Sequence, residues 1–367
     1  MSVSIVAARR TPIGTAGHGL AAVPAAELTA AVLPAVLADA GLTSDQVAEV
    51  VLGNCTGPGG DLARYAALLA GLGTGVPGLT VDRQCGSGLA AVTVGAALVS
   101  AGAGADRVVL AGGVESASTS PRPGRAPFAP PELGDPEMGD AADHVARLRG
   151  VSRERQDAYA LRSHHEAVAA QRAGLFDAEL VEVAGLSRDE RPRPGMTAAR
   201  LGRMRPIFGS DGTATAGNSC GVNDGAAVVA LMSEQDREAR ALAGLRILGS
   251  ATAGVSPRTP GLGMVPAVRT ALDRAGVGLD DISVIELNEA FAGQVLACCD
   301  DLGLDPDRVC RQGGAIALGH PWGASGAVVL VRLFSQLVRT SRPGELGLAA
   351  IAVGGGQGVA MVVESCR

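Results

Sequence analysis

"VLADAGLTSDQVAEVVLGN" at residues 36–54 returns as "ALDRAGVGLDDISVIELNE" at residues 271–289. Leu37 matches Leu272, Gly41 matches Gly276, Asp45 matches Asp280 and Leu52 matches Leu287, all at a constant offset of 235 residues. Each copy reads as a helical segment, a glycine stop and an apolar strand. A second match follows in the same order. "CGSGLAAV" (85–92) resembles "GASGAVVL" (323–330), and each leads into a glycine-bearing strand, "RVVLAGGVES" and "LAAIAVGGGQG". Chance could give one such match; two in the same order indicate an internal duplication. Each half then reads as strand, helix, strand, glycine turn, helix, strand, which predicts α/β layers around mostly buried sheets.

Between the halves, roughly from Ser118 to Pro206, lies a stretch rich in Pro, Arg and Asp that matches neither copy. It contains one clear helix over 152–176, with Ser152 at its start and Gly174 marking its end. The expected division is a first half made of residues 1–117 and 207–243, a loop domain of 118–206 laid over the core, and a second half of 244–367.

The 367 residues suit about two domains. With 47% hydrophobic and 19% charged residues the chain can bury a large core. Aromatics are only 2%, so that core must be built from Ala, Val and Leu, with glycines allowing close backbone approach. A formal charge of −6 argues against a nucleic-acid partner. All 31 basic residues are arginine, which removes a lysine Schiff base, lysine-held pyridoxal phosphate and a P-loop from consideration.

The opening "MSVSIVAARRTPIG" is broken by Arg9 and Arg10 and does not read as a signal peptide, and no apolar stretch is long enough to span a membrane. The closing "ESCR" is neither a prenylation nor a peroxisomal signal. Seven cysteines without regular spacing point to reduced thiols and a cytoplasmic protein.

A glycine turn that opens a helix aims backbone N–H groups and the positive end of the helix dipole at one point. Cys85 sits in such a turn, and that setting favours a nucleophile over a buried structural thiol. His320, in "GGAIALGHPWGASGAVVL", occupies the matching turn of the other half. If the halves pack about a pseudo-twofold axis, the two turns face each other and can form a nucleophile–base pair. His18, His144, His164 and His165 have no such setting; the last two read as solvent-facing or capped on the covering helix.

Asn288 and Glu289 fall at the C-terminal edge of a buried strand, where α/β sheets form their sites. Asn288 either orients a water or carbonyl oxygen or caps the following helix, and both readings stay open here. Cys298, Cys299 and Cys310 lack metal-ligand spacing and no metal is expected. The glycine runs lack a dinucleotide-binding frame.

Eight motifs in order then carry a resemblance over essentially the whole chain: "VAARRTPIG", "GDLARYAALLAGL", "VDRQCGSGLAAV", "PIFGSDGTATAGN", "GVNDGAA", "ELNEAFA", "GGAIALGHPWGASGA" and "GGGQGVAMVVES". The sequence resembles the thiolase family, the acyl-CoA C-acyltransferases. The resemblance implies two similar five-layered α-β-α-β-α halves with an inserted loop domain. It implies ping-pong acyl transfer with no cofactor beyond the coenzyme A thioester substrate. Cys85 would carry the acyl group and His320 would be its base. The N–H groups of Cys85 and Gly354 would hold the oxyanion, and Asn288 would hold a water near the second thioester oxygen.

The pantetheine stem would pass residues 217–221, including Asn218, Cys220 and Gly221. Met138, Phe208, Phe291 and Ala292 would shape the rest of the substrate site, and "RDERPRP" (188–194) would offer neighbours for the coenzyme A phosphates.

One position departs from the family pattern. Where the family has a second cysteine before the glycine triplet, this chain has Ala352. That cysteine exchanges the α-carbon proton, and a methyl group cannot. Cys220, where the family usually has serine, or His320 alone are the substitutes available. The alternatives are decarboxylative condensation, acyl transfer to a non-carbon acceptor or water, or a non-catalytic partner subunit. The short, proline-rich segment between Glu115 and Met138 favours a homodimer over a tetramer.

Overall fold

The computed structural model describes residues 2–102, 107–121 and 126–367. Part of the proline-rich segment between Glu115 and Met138 therefore lies outside the described residues. Ten strands are present: β1 (Val3–Arg10), β2 (Gly14–Thr15), β3 (Val47–Gly53), β4 (Gly78–Val81), β5 (Val108–Ser116), β6 (Asn223–Ser233), β7 (Gly244–Gly254), β8 (Ile282–Leu287), β9 (Leu346–Val353) and β10 (Gln357–Cys366). The helices are α1 (Ala25–Asp39), α2 (Leu62–Leu69), α3 (Ser87–Ser100), α4 (Met138–Leu148), α5 (Arg153–Arg172), α6 (Ala198–Gly202), α7 (Glu234–Ala239), α8 (Met264–Ala275), α9 (Ala292–Leu302), α10 (Ala315–Leu318) and α11 (Trp322–Leu337).

Eight strands of the sheet form a palindromic order. The sheet runs β4-β3-β5-β6-β1-β7-β10-β9-β8, with β2 beside β6. β3/β5 and β8/β9 are parallel, while β5/β6, β6/β1, β9/β10 and β10/β7 are antiparallel. β1 and β7 meet antiparallel at the centre. β1, β6, β5 and β3 of one half thus have counterparts β7, β10, β9 and β8 mirrored across the β1–β7 junction, as a pseudo-twofold duplication requires, while β4 and β2 extend the first half alone.

The repeated sequence segments become repeated structure: α1, a 3₁₀ turn at Ser44–Gln46 and β3 in one half, and α8, a 3₁₀ turn at Leu279–Asp281 and β8 in the other. α1 and α2 cover the outer face of the first half, and α8 and α9 that of the second. α3 and α11 lie between the half-sheets in one shared core. The five α-β-α-β-α layers are read across the whole molecule.

α11 is buried nearly all round, so its neighbours must come close on every side. Small residues make this possible. A methyl built on Gly88 of α3 would stand 2.8 Å from the Gly323 oxygen and 2.9 Å from the Ala327 nitrogen of α11. One on Gly326 would stand 2.4 Å from the Leu89 nitrogen, and one on Gly113 of β5 would stand 2.0 Å from the Gly323 oxygen. The backbones of the two central helices touch.

The covering helix α5 begins after Ser152, whose Oγ accepts from Arg155 N at 3.2 Å, and ends before Gly174 at φ 69°. His164 on it is fully buried with both ring nitrogens unpartnered, contrary to the solvent-facing or capped position expected, and burial holds its pKa down at about 3.

The same segment is tied to the core by buried charges. Arg10 of β1 donates to Glu179 (2.8 Å) and with two nitrogens to Asp189 (2.7 and 2.9 Å), and Arg332 of α11 donates to Glu179 at 2.5 Å. Burial pushes the Glu179 carboxyl up, but the Arg332 and Arg10 guanidiniums outweigh it and hold it below its ordinary value. Removing one partner of such a cluster costs about 3–5 kcal/mol, because it strands a buried charge.

The contact between α3 and α11 yields a direct test. Gly88→Ala should destabilise the fold by about 1–3 kcal/mol in denaturant titration, because the obstructing atoms are backbone and cannot swing away.

Candidate active site

Cys85 precedes α3 in a turn that is strained by one residue: Gln84 has φ 46°, in the left-handed region. Hydrogen bonds hold it there. Gln84 N donates to Asp82 Oδ1 at 2.7 Å, Arg83 N donates to Ser87 Oγ at 2.8 Å, and Ser87 Oγ donates to the Gln84 oxygen at 2.6 Å. The turn leaves the Cys85 thiol facing the backbone N–H of Gly354, which, with its own N–H, favours the thiolate. Burial outweighs both, with the Cys220 and Glu115 charges adding to it, and the thiol is pushed up to about 12.

His320 precedes α11 in the matching turn of the other half. Its backbone N donates to Asn223 Oδ1 at 2.8 Å. Gly319 just before it has φ 118°, and a methyl there would meet the Asn223 amide at 2.7 Å. The imidazole is buried, and its Nδ1 lies 2.6 Å from Ser325 Oγ, which donates to the Pro321 oxygen at 3.0 Å. With the Ser325 hydroxyl proton committed to that carbonyl, the network assigns the ring proton to Nδ1 and a free lone pair to Nε2. Burial alone lowers the His320 pKa to about 4. Cysteine and histidine are thus both neutral at rest.

Both residues line one cavity of about 110 Å³, together with Cys220, Met138, Phe291, Ala352 and Gly354. Ala352 is the penultimate residue of β9, paired with Gly358 of β10. Residues 218–220 run beside 290–292: Cys220 N donates to the Ala290 oxygen and Ala292 N to the Asn218 oxygen, both at 2.9 Å.

Other expected residues stand back from this cavity. Asn288, just beyond β8, has its Nδ2 3.5 Å from His320 Nε2, at the outer limit of a hydrogen bond. It borders a separate 20 Å³ void with Ser325, Glu286 and Arg332, room for about one water. Asn288 does not cap α9, which starts at Ala292 without any side-chain cap. Asn218 is buried and its amide is spent on Thr215 N, Asp157 and the Thr213 oxygen. Ala292 is buried, and Gly221 packs against Arg191. Phe208 is partly exposed and meets Phe291 edge-on at 5.9 Å between ring centroids.

In the arginine-rich segment, Arg191 is largely buried and donates to the Ile316 and Ser219 oxygens, whereas Arg193 borders an open cleft with Arg200 and Arg203. Among the described residues no group of three or more His, Cys, Asp or Glu could hold a metal ion, and no helix is long and apolar enough to cross a membrane.

Two acids hold these turns: Glu115, which the sequence did not single out, and Glu289, which it placed at the strand edge without a role. Glu115, near the end of β5, accepts from Gly323 N at 3.0 Å in the first turn of α11, and from Asn54, Cys55 and Thr56 in the loop after β3. Glu289 accepts from Tyr159 Oη (2.9 Å), Ser163 Oγ (2.7 Å) and Ile316 N (3.1 Å), and a methyl on Gly314 would collide with it. It joins the end of β8, the covering helix α5 and α10, whose last residue Leu318 lies two residues before His320. The only local signal was its place beside Asn288.

Comparison with known proteins accords with this arrangement. The family model described as "Thiolase, N-terminal domain" matches residues 3–135 and 132–235, and "Thiolase, C-terminal domain" matches residues 241–365. The acetyl-CoA acetyltransferase of Pseudomonas aeruginosa is 43% identical over 98% of both chains, and that of Escherichia coli 42% identical over 98% of both. The crystal structure of the Bacillus anthracis acetyl-CoA acetyltransferase superposes with a TM-score of 0.92 at 38% identity, covering 99% of this chain and 98% of that one. With both halves of its duplication matched and relatives this similar along its whole length, the chain belongs to the thiolase family and is a thiolase-type acyltransferase.

Proposed function

We propose that the protein transfers short acyl groups between coenzyme A thioesters by a ping-pong route through an S-acyl Cys85. The observation that carries this reading is the meeting of Cys85 and His320 in one cavity, with the Gly354 N–H directed at the thiol. As Cys85 Sγ adds to the thioester carbonyl, His320 Nε2 takes its proton and the N–H groups of Cys85 and Gly354 receive the developing oxyanion. His320 then returns the proton to the departing coenzyme A sulfur. Neutral partners suit this step, because charge appears only as the bond forms.

In the second half-reaction the incoming thioester oxygen sits between His320 Nε2 and a water held by Asn288. A cavity of 110 Å³ has the volume of about four waters, which favours acyl chains of a few carbons. The pantetheine stem enters past Cys220 and Phe291, and Arg193, Arg200 and Arg203 are positioned to meet the coenzyme A phosphates at the open cleft.

A second reading keeps the loading step and changes the acceptor. At position 352 the cavity offers only a methyl group, and decarboxylative condensation, or transfer to a non-carbon acceptor or water, needs no proton carrier there. A non-catalytic partner subunit would have no use for a buried base whose tautomer is fixed by Ser325. The unpaired edge of β4 beside exposed Tyr65, Leu68, Leu69 and Leu79 supports a homodimer through that edge. Seven cysteines, none of them in a disulfide, support a reducing, cytoplasmic setting.

Exchange of label between acetyl-CoA and free coenzyme A isolates the loading step. The parent protein should catalyse it, Cys85→Ser should abolish it, and His320→Ala should slow it by about 10²–10⁴-fold. No exchange by the parent across short-chain acyl-CoAs would refute the acyl-enzyme.

The pH profile gives an independent check. His320 is a base only when neutral, so a pKa held down at about 4 keeps it competent above that pH, and competence is lost as pH falls through 4. The exchange rate should therefore show its acid limb near pH 4. A limb near 6.5, the ordinary imidazole value, would contradict this assignment.

A further inference from the structure

Carbon–carbon chemistry on the acyl-enzyme requires one more proton transfer, and the cavity restricts what can perform it. Any group that exchanges a proton with an α-carbon attacking or leaving the Cys85-bound carbonyl must line the same space, since reacting atoms lie about 3–3.5 Å apart. Of the described side chains lining that space, only those of Cys85, His320 and Cys220 carry a proton that could be exchanged with carbon. The rest are apolar, glycine, the indole of Trp322, whose N–H is far too weak an acid for this exchange, or the amide of Gln294, which donates to the Gly261 oxygen. Cys85 holds the acyl group and His320 serves its sulfur, which leaves Cys220.

We infer that Cys220 is the proton carrier of the carbon–carbon step, giving its thiol proton to the α-carbon released in thiolysis. This rests on the acyl-Cys85 reading above. Three observations support it. The Cys220 backbone is pinned by the hydrogen bond to Ala290, and its thiol lines the same cavity as Cys85, near enough for its charge to act on the Cys85 thiol. The Cys220 sulfur has no hydrogen-bond partner among the described residues other than its own N–H. The Arg191 guanidinium, fixed behind it on the Ile316 and Ser219 oxygens, favours the thiolate left after donation. Burial meanwhile pushes the thiol up to about 12, so the proton is present when it is needed.

The step balances. His320 takes the Cys85 proton as Sγ adds to the β-carbonyl of a 3-ketoacyl-CoA. The bond between that carbonyl carbon and the α-carbon breaks, and its electron pair takes the proton of Cys220. This yields acetyl-CoA, the shortened acyl group on Cys85 and the Cys220 thiolate. Incoming coenzyme A attacks the acyl carbonyl and expels the Cys85 sulfur. The proton held by His320 and the one released by the coenzyme A thiol restore Cys85 and Cys220. Condensation is the reverse, with the Cys220 thiolate as base.

The test compares acetoacetyl-CoA thiolysis with acetyl-CoA/coenzyme A exchange in the full-length parent, Cys220→Ala and Cys220→Ser. Both variants should lose about 10²–10⁴-fold more in thiolysis than in exchange, because a weakened pantetheine contact slows both reactions whereas a lost proton carrier slows only thiolysis, and circular dichroism should show that they fold. Adding Ala352→Cys to Cys220→Ala should recover about tenfold or more of the thiolysis, by returning a thiol to the cavity from its other wall. Thiolysis by Cys220→Ala within about tenfold of the parent would overturn the inference, as would a parent that exchanges acetyl groups but cannot thiolyse. A parent that does not exchange removes the acyl-enzyme itself, and this inference falls with it.

Discussion

Everything at the site depends on the close approach of α3 and α11. Two helices whose backbones touch through Gly88, Gly323 and Gly326 run side by side between two half-sheets, and each begins at a reactive turn. The duplication supplies the symmetry, and the small residues supply the distance. Bulkier side chains at this contact would push the helices toward the usual interaxial separation of 8–10 Å and carry Cys85 and His320 apart. Glu115 reinforces the arrangement by joining the end of β5 to the first turn of α11 and to the loop after β3.

Burial then sets the chemistry. The same packing that excludes water raises the Cys85 and Cys220 thiols and lowers the His320 imidazole, which disfavours an ion pair between them. The groups that oppose burial are backbone N–H donors for Cys85 and a guanidinium for Cys220. They act most strongly once negative charge develops, which is when stabilisation accelerates a reaction. On the proposed mechanism, the cavity is organised around charge that appears during turnover.

Much of this was legible in the sequence because it was written twice. The constant offset between residues 36–54 and 271–289 located matching helix–strand units, and the paired glycine turns put Cys85 opposite His320. The helix over 152–176 was legible from its cap and its terminal glycine. What escaped were side chains whose partners lie far along the chain. Glu289 meets Tyr159 and Ser163 across about 130 residues, and Ser325 matters only through the ring it orients. Asn218 looked like a substrate contact but its amide is consumed within the fold, and His164 looked exposed on a polar helix yet is buried under the charged segment that follows it. Local patterning reports which face of an element is apolar, not which distant group will close over it. Cys220 was visible as a substitution, but its place in the same cavity as Cys85 required the pairing of 218–220 with 290–292.

The central claim is that the meeting of the two helix-opening turns makes Cys85 the one acyl-carrying thiol among seven. Peptide-resolved mass spectrometry of the protein quenched in acid during turnover of acetyl-CoA tests this most directly. The account predicts an acetyl group on the peptide containing Cys85 and on no other cysteine, and its disappearance when excess coenzyme A is added before the quench. An acetyl group on Cys220 or another thiol instead, or one on Cys85 that coenzyme A does not remove, would contradict it.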